Sequence, residues 1–292
     1  MLQMTVNQYL PRRMVSLPRR MLKSHILKFK NLSLWQYRGF IIGSIKREFQ
    51  AKYRGSLLGV VWTIISPLSM ILVYTVIFSG VMQAKIPGAA GERTSSYGIY
   101  LCAGILAWGL FSEIVSRAQN IFLDNANLLK KISFPRLCLP VIVVLNASIN
   151  FLIIFALFTA FLVVSGNFPG YAYFSLLPLM AILICFSISL GLTLGILNVF
   201  FRDVGQLFGI CLQFWFWFTP IVYSENILPS KIRYLLRLNP MSSIIEGFHR
   251  VIVTGLWPNW EALIYPVSLS LILGLSGYSL FRSNISDIMD EL

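Results

Sequence analysis

Long apolar runs separated by short polar ones give the chain its outline. Six segments, 57–82, 97–121, 138–164, 173–200, 204–222 and 262–281, are apolar enough to predict membrane-crossing helices, each of which needs about 20 such residues. Pro67 predicts a kink in the first. Ahead of them the period changes: Ile41, Ile45, Phe49 and Tyr53 recur every four residues, joined by Trp35 and Ile42. Arg38, Lys46, Arg47, Lys52 and Arg54 occupy the other faces. That pattern predicts a basic amphipathic helix at 34–56, either lying in the membrane surface or packed on a soluble domain. Residues 1–33, with Pro11, Pro18 and scattered cations, read as a loosely ordered arm. Between the fifth and sixth spans, the apolar stretches of 223–261 (232–238 and 241–253) are too short to cross. They predict re-entrant helices, which are tolerated where protein or water covers their backbone ends. The fold class is an all-α integral membrane protein: an interfacial helix, then a six-span domain over 57–292.

Two features break the uniform greasiness of the spans. Phe214, Trp215, Phe216, Trp217 and Phe218 are consecutive and closed by Thr219-Pro220. Each is turned about 100° from the last, so the rings cover almost the whole circumference of the fifth span. Some must face lipid or neighbouring helices while others can line an interior path. Rings hold ions poorly and stack well on the apolar faces of sugars or on lipid tails. Polar residues inside the spans are few. Glu113 and Arg117 stand four apart on one face of the second span and can pair. Asn146 and Asn150 share a face of the third. Buried polar groups in membranes serve as helix–helix glue or as functional sites.

Composition supports the membrane reading. Hydrophobic residues make up 57% and charged residues 12%, about half the charged fraction of a soluble domain. The net charge is +13, and residues 1–56 hold twelve Lys and Arg against a single acid, Glu48. Next to a span, such a surplus meets the anionic inner leaflet, with each cation worth on the order of 1 kcal/mol; nucleic acid is not the expected partner. The positive-inside rule places the N-terminus in the cytoplasm, and an even span count brings the C-terminus, with its short acidic tail, to the same side. The first thirty residues lack an apolar core of the signal-peptide kind. Cys102, Cys138, Cys185 and Cys211 have no metal or redox spacing and read as small apolar packers, and the two His residues are too scattered for a metal site.

Catalysis finds little in this sequence. It contains no His-Glu-x-x-His, no Gly-x-Ser-x-Gly and no phosphate-binding Gly-x-x-x-x-Gly-Lys loop, since no Gly is followed by Lys. Work against a gradient therefore needs nucleotide chemistry from another chain. A proton or sodium carrier needs several acids at mid-membrane, and Glu113 is the one that comes close. The segment 122–137 carries Asn127, Leu128, Leu129, Lys130, Lys131, Phe134, Pro135 and Arg136. It reads either as an ordinary membrane-surface loop or as a short amphipathic stretch with exposed cations and a Phe-Pro stop, fit to dock into a cleft on a soluble partner.

Arg47-Glu48-Phe49-Gln50-Ala51-Lys52-Tyr53-Arg54-Gly55-Ser56-Leu57-Leu58-Gly59-Val60-Val61-Trp62, followed by Ser66-Pro67-Leu68, resembles the opening of type-2 ABC exporter permeases. More narrowly, it is similar to those moving lipid-linked polysaccharides: O-antigen, capsule and teichoic acid. Residues 127–140 resemble their coupling loop. Phe218-Thr219-Pro220-Ile221-Val222-Tyr223, Leu228-Pro229 and Leu238-Asn239-Pro240-Met241 resemble the region after their fifth span. The likeness runs from about residue 35 to 281.

The resemblance implies a homodimer in the bacterial inner membrane, both termini cytoplasmic, with two copies of an ATPase subunit. The chain itself then holds no cofactor; ATP and Mg belong to the partner. ATP binding would push on the coupling residues 127–136 and rock the spans. The cations Arg38, Lys46, Arg47, Lys52 and Arg54 would meet the pyrophosphate of an undecaprenyl-linked polysaccharide at the entrance, which suits their charge independently. Trp62, Tyr74, Phe78, the run Phe214–Phe218 and Tyr223 would line the path, with 223–260 as an outer gate. The alternatives are a type-2 exporter of drugs or small lipids and, from another class, a membrane-embedded polyprenyl-linked transferase. The transferase needs clustered acids or His, and Asp124, Glu225 and Glu246 are dispersed in the sequence.

Overall fold

The computed structural model describes residues 37–54, 58–77, 97–131, 138–225 and 228–292, and every regular element among them is helical. The arm 1–33, Trp35, Phe78, Phe134, Pro135 and Arg136 lie outside the described residues. In chain order the helices are α1 (Arg38–Tyr53), α2 (Trp62–Tyr74), α3 (Tyr97–Asp124), α4 (Ala126–Lys131), α5 (Cys138–Val164) and α6 (Leu176–Phe200). They are followed by α7 (Asp203–Trp217), α8 (Ser230–Arg237), α9 (Pro240–His249), α10 (Trp260–Ser283) and α11 (Ile285–Glu291).

Four of these are long and apolar enough to cross a membrane: α3, α5, α6 with the 3-10 turn before it, and α10. The other two expected spans are shorter. Helix α2 has 13 residues, extended by a wide turn to Ile77, and α7 has 15. At about 1.5 Å per residue, α7 falls short of a core about 30 Å thick. Its stop is built into the sequence: Pro220 has no N–H to continue the ladder and biases Thr219 away from the helical region. The Thr219 hydroxyl turns back to donate to the Trp215 carbonyl at 2.8 Å.

Helix α3 is the hub, and most of its length is buried. It packs most extensively on α6, where two glycines let the backbones meet. A Cβ on Gly191 would lie 2.5 Å from the Ala118 Cβ, and one on Gly195 would lie 2.7 Å from the Ala118 carbonyl oxygen. Helices associate in membranes through such small-residue contacts. The opposite side of α6 meets α10 in the same way, Gly277 facing Thr193 and Gly274 facing Ser189. Helix α9 begins at a cap, since the Asn239 side-chain Oδ1 accepts from the Met241 N–H and Pro240 occupies the first turn. Met241, Ile244, Ile245 and Phe248 are fully buried in the main core with α3 and α6, so protein covers this element.

A second apolar cluster lies at one end of the bundle. Ile41 of α1, Leu129 of α4, Ile142 of α5, Val199 of α6 and Ile288 of α11 meet there. The acidic tail is thus a short helix anchored by Ile288. The same cluster fixes the face of α1. Ile41 is buried and Phe40 and Ile45 pack beside it, with Arg38, Lys46, Arg47 and Lys52 exposed. Ile42, expected on the apolar face, is 63% exposed, because one residue beyond Ile41 points about 100° away.

Candidate functional site

The charged and amide residues that the sequence scatters over three helices converge on one network. Glu113 and Arg117, one turn apart on α3, are 3.3 Å apart. Arg117 also pairs with Glu48 of α1, whose second carboxylate oxygen accepts from the Asn146 amide of α5. One turn along α5, Asn150 donates to Glu113 at 3.1 Å and accepts from Lys52 of α1 at 3.3 Å. The α3 pairing and the shared α5 face were legible in the spacing. That Glu48 closes the network was not, although a lone acid among twelve cations was the available signal. Lys52, expected at a lipid pyrophosphate, is engaged here. Arg47 donates to Ser44 at 2.9 Å on its own helix.

Helix α3 leads directly into α4, and α5 follows the segment that α4 opens, so α1 is bonded to both arms of the hairpin carrying the expected coupling segment. On α4, Leu129 is buried and Leu128 half-buried, while Asn127 and Lys130 are exposed. Between α1, α3, α4 and α5 lies a cavity of about 270 Å³. Ser44, Glu48, Arg117, Asp124 and Asn125 supply its polar wall, and Phe40 and Leu128 part of its apolar one.

The aromatic run divides by face. Phe214, Trp217 and Phe218 are 63%, 64% and 68% exposed, as the i, i+3, i+4 spacing requires. Trp215 and Phe216 turn inward: the Trp215 ring lies 5.3 Å from that of Phe111 and 6.3 Å from that of Trp108, and Phe216 lies 5.7 Å from Trp108. The exposed strip continues backward along α7 through Ile210 and Leu207. On α2, Thr63, Pro67 and Ile71 face the bundle, leaving Trp62, Ile65 and Leu72 exposed and Tyr74 half-buried. Tyr223 is half-buried, and its hydroxyl donates to the Trp217 carbonyl at 3.0 Å.

The chain beyond α7 is stitched to α3 by side chains the sequence reading did not single out. Tyr97 donates to the Val222 carbonyl, and Tyr100 to the Tyr223 carbonyl at 2.9 Å. The Tyr100 ring stacks on buried His249 at 3.7 Å, and Gly104 makes room for that imidazole: a Cβ there would lie 2.7 Å from Nε2. Nearby Glu225 has its carboxyl held above the usual glutamate range by burial and by the charge of Glu246, partly offset by Arg233 and Arg237.

These observations describe a multi-pass helical membrane protein whose polar groups bond helix to helix and whose short helix α7 carries exposed rings. The pattern of the family described as "ABC-2 type transporter" matches residues 41–253. The chain is 30% identical over 262 residues to the O-antigen export system permease protein RfbA of Myxococcus xanthus, covering 89% of this chain and 97% of that protein. Two proteins of the same name from Klebsiella pneumoniae are each 28% identical over 237 residues, 81% of this chain and 88% of theirs. The chain belongs to the ABC-2 type transporter family.

Proposed function

We propose that the chain is the membrane-spanning permease subunit of an ATP-driven exporter, moving undecaprenyl-linked polysaccharide, of the O-antigen kind, across the bacterial inner membrane. The observation that carries this reading is the near full-length likeness to proteins named as O-antigen export permeases. Two copies of the chain assemble with two ATPase subunits that hold ATP and Mg. Each copy crosses six times with both termini in the cytoplasm, α2 and α7 supplying the two shorter crossings. Their exposed apolar strips face one another around a central path, and Trp62, Phe214, Trp217 and Phe218 offer rings to sugar faces and lipid tails. The cations of α1 receive the lipid pyrophosphate, α4 and the residues after it dock on the ATPase, and α8 with α9 form the outer gate.

Physical support for the coupling step comes from the polar network. A push on α4 reaches α3 and α5 at once, and Glu48, Arg117 and Asn146 join both to α1. Reversing Lys130 and Lys131 to Glu is expected to abolish co-purification of a co-expressed ATPase subunit; full retention of docking and export would remove the coupling assignment. The dimer reading is tested at Cys211, an exposed thiol on α7. Oxidative cross-linking in membranes is expected to give a disulfide-bonded dimer that Cys211→Ser abolishes. An uncross-linked chain in an active complex would move the α7 strip away from the two-fold axis.

A further inference from the structure

Asn239 stands between α8 and α9 and uses every hydrogen-bonding position of its side chain. Its Oδ1 accepts from Trp215 Nε1 at 2.8 Å and from the Met241 N–H at 3.0 Å. Its Nδ2 donates to the Phe218 carbonyl at 3.2 Å and to Thr219 Oγ1 at 3.0 Å. An indole N–H and a backbone N–H can only donate, so one orientation of the amide satisfies the set. The Thr219 hydroxyl in turn donates a hydrogen bond to the Trp215 carbonyl at 2.8 Å. One side chain thus caps the start of α9, closes the end of α7 and fixes an indole. It also joins two of the sequence motifs described above, Phe218-Thr219-Pro220 and Leu238-Asn239-Pro240, into a single clasp.

The clasp bears on the exposed rings. Trp215 is held at its nitrogen by Asn239 and at its faces and edges by Phe111, Trp108 and Phe208. With Trp215 locked inward, the helical spacing turns Phe214, Trp217 and Phe218 outward. We propose that Asn239 is a positioning residue for export: it ties the aromatic end of α7 to the α8–α9 pair, so that the exposed rings and the outer pair move as one body. Aspartate has the right shape but as a carboxylate lacks both donors, and glutamine is one methylene too long. The role of the rings themselves rests on the proposed transport path.

The test uses the full transporter, this chain with its ATPase partner in proteoliposomes, and the variants Asn239→Asp, Trp215→Phe and Trp217→Ala. Hydrogen exchange reads the clasp directly. Asn239→Asp is expected to speed exchange together in 213–222 and in 236–245 while 176–200 stays unchanged. Polymer-stimulated ATP hydrolysis is expected to fall about tenfold, the scale of losing the two donor bonds to Phe218 and Thr219, through a raised apparent KM for polymer and with unstimulated hydrolysis preserved. Trp215→Phe keeps the packing and loses one bond, so it gives the same paired exchange at smaller amplitude and decides the matter if Asn239→Asp does not assemble. Faster exchange confined to 236–245, or wild-type stimulation in Asn239→Asp, would overturn the proposal. Normal export by Trp217→Ala removes the ring path instead, leaving the paired exchange to decide the clasp.

Discussion

At the residue scale, close approach and hydrogen bonding carry more of this structure than charge does. Gly191 has the Ala118 Cβ 2.5 Å from where its own Cβ would be, whereas a Cβ on Gly109 of α3 would meet nothing within 4 Å. Gly191→Ala is therefore expected to cost about 1–3 kcal/mol through forced separation of α3 and α6. Gly109→Ala should be neutral or slightly stabilising, since Ala is the better helix former. Thermal unfolding in detergent compares the two. Glu225 gives a pH signature. Its native carboxyl titrates above the ordinary value of 4.5, so the native state binds more protons than the unfolded chain. Stability is then highest below that ordinary value and falls as pH rises through the native one. Glu225→Gln should flatten this slope, and an unchanged slope would assign it to another group. Residue-scale features were the least legible in the sequence. Asn198 donates to the Gln119 carbonyl and accepts from the Gly205 N–H, bonding α6 to α3 and α7. Asn239 likewise bonds the end of α7 to the start of α9. Both act on backbone groups far away along the chain, which no local spacing announces.

At the element scale, the apolar periodicity read well where helices are long. The segments 97–121, 138–164, 173–200 and 262–281 match α3, α5, α6 and α10 within a few residues at most ends. It read less well where proline intervenes. The apolar stretch 204–222 continues past Pro220, but the helix does not, so hydropathy overestimates α7. The four-residue repeat of α1 grouped Ile41 and Ile45 on one face, and both pack in the second apolar cluster; the error at Ile42 came from counting hydrophobicity without its angle. Attachment of α1 is the testable consequence. In a double-mutant cycle with Glu48→Gln and Arg117→Gln, the half-exposed pair should show a coupling energy of up to about 1 kcal/mol. Both single variants should increase protease access to α1, and independent effects would mean that the apolar cluster alone seats the helix.

For the molecule as a whole, the half-exposed polar network, the exposed strips on α2 and α7 and the buried α9 fit the account proposed above, in which nucleotide energy enters at α4 and polymer passes along the rings. The sequence contains no phosphate-binding loop, so this account requires the energy to come from another chain. ATP hydrolysis in proteoliposomes is the direct measurement, with this chain alone and then with a co-expressed ATPase subunit, each with and without lipid-linked polysaccharide. No hydrolysis by the chain alone, and hydrolysis by the pair that rises with polymer, is the predicted result. A chain that binds no ATPase, or a complex whose hydrolysis ignores the polymer, would contradict it.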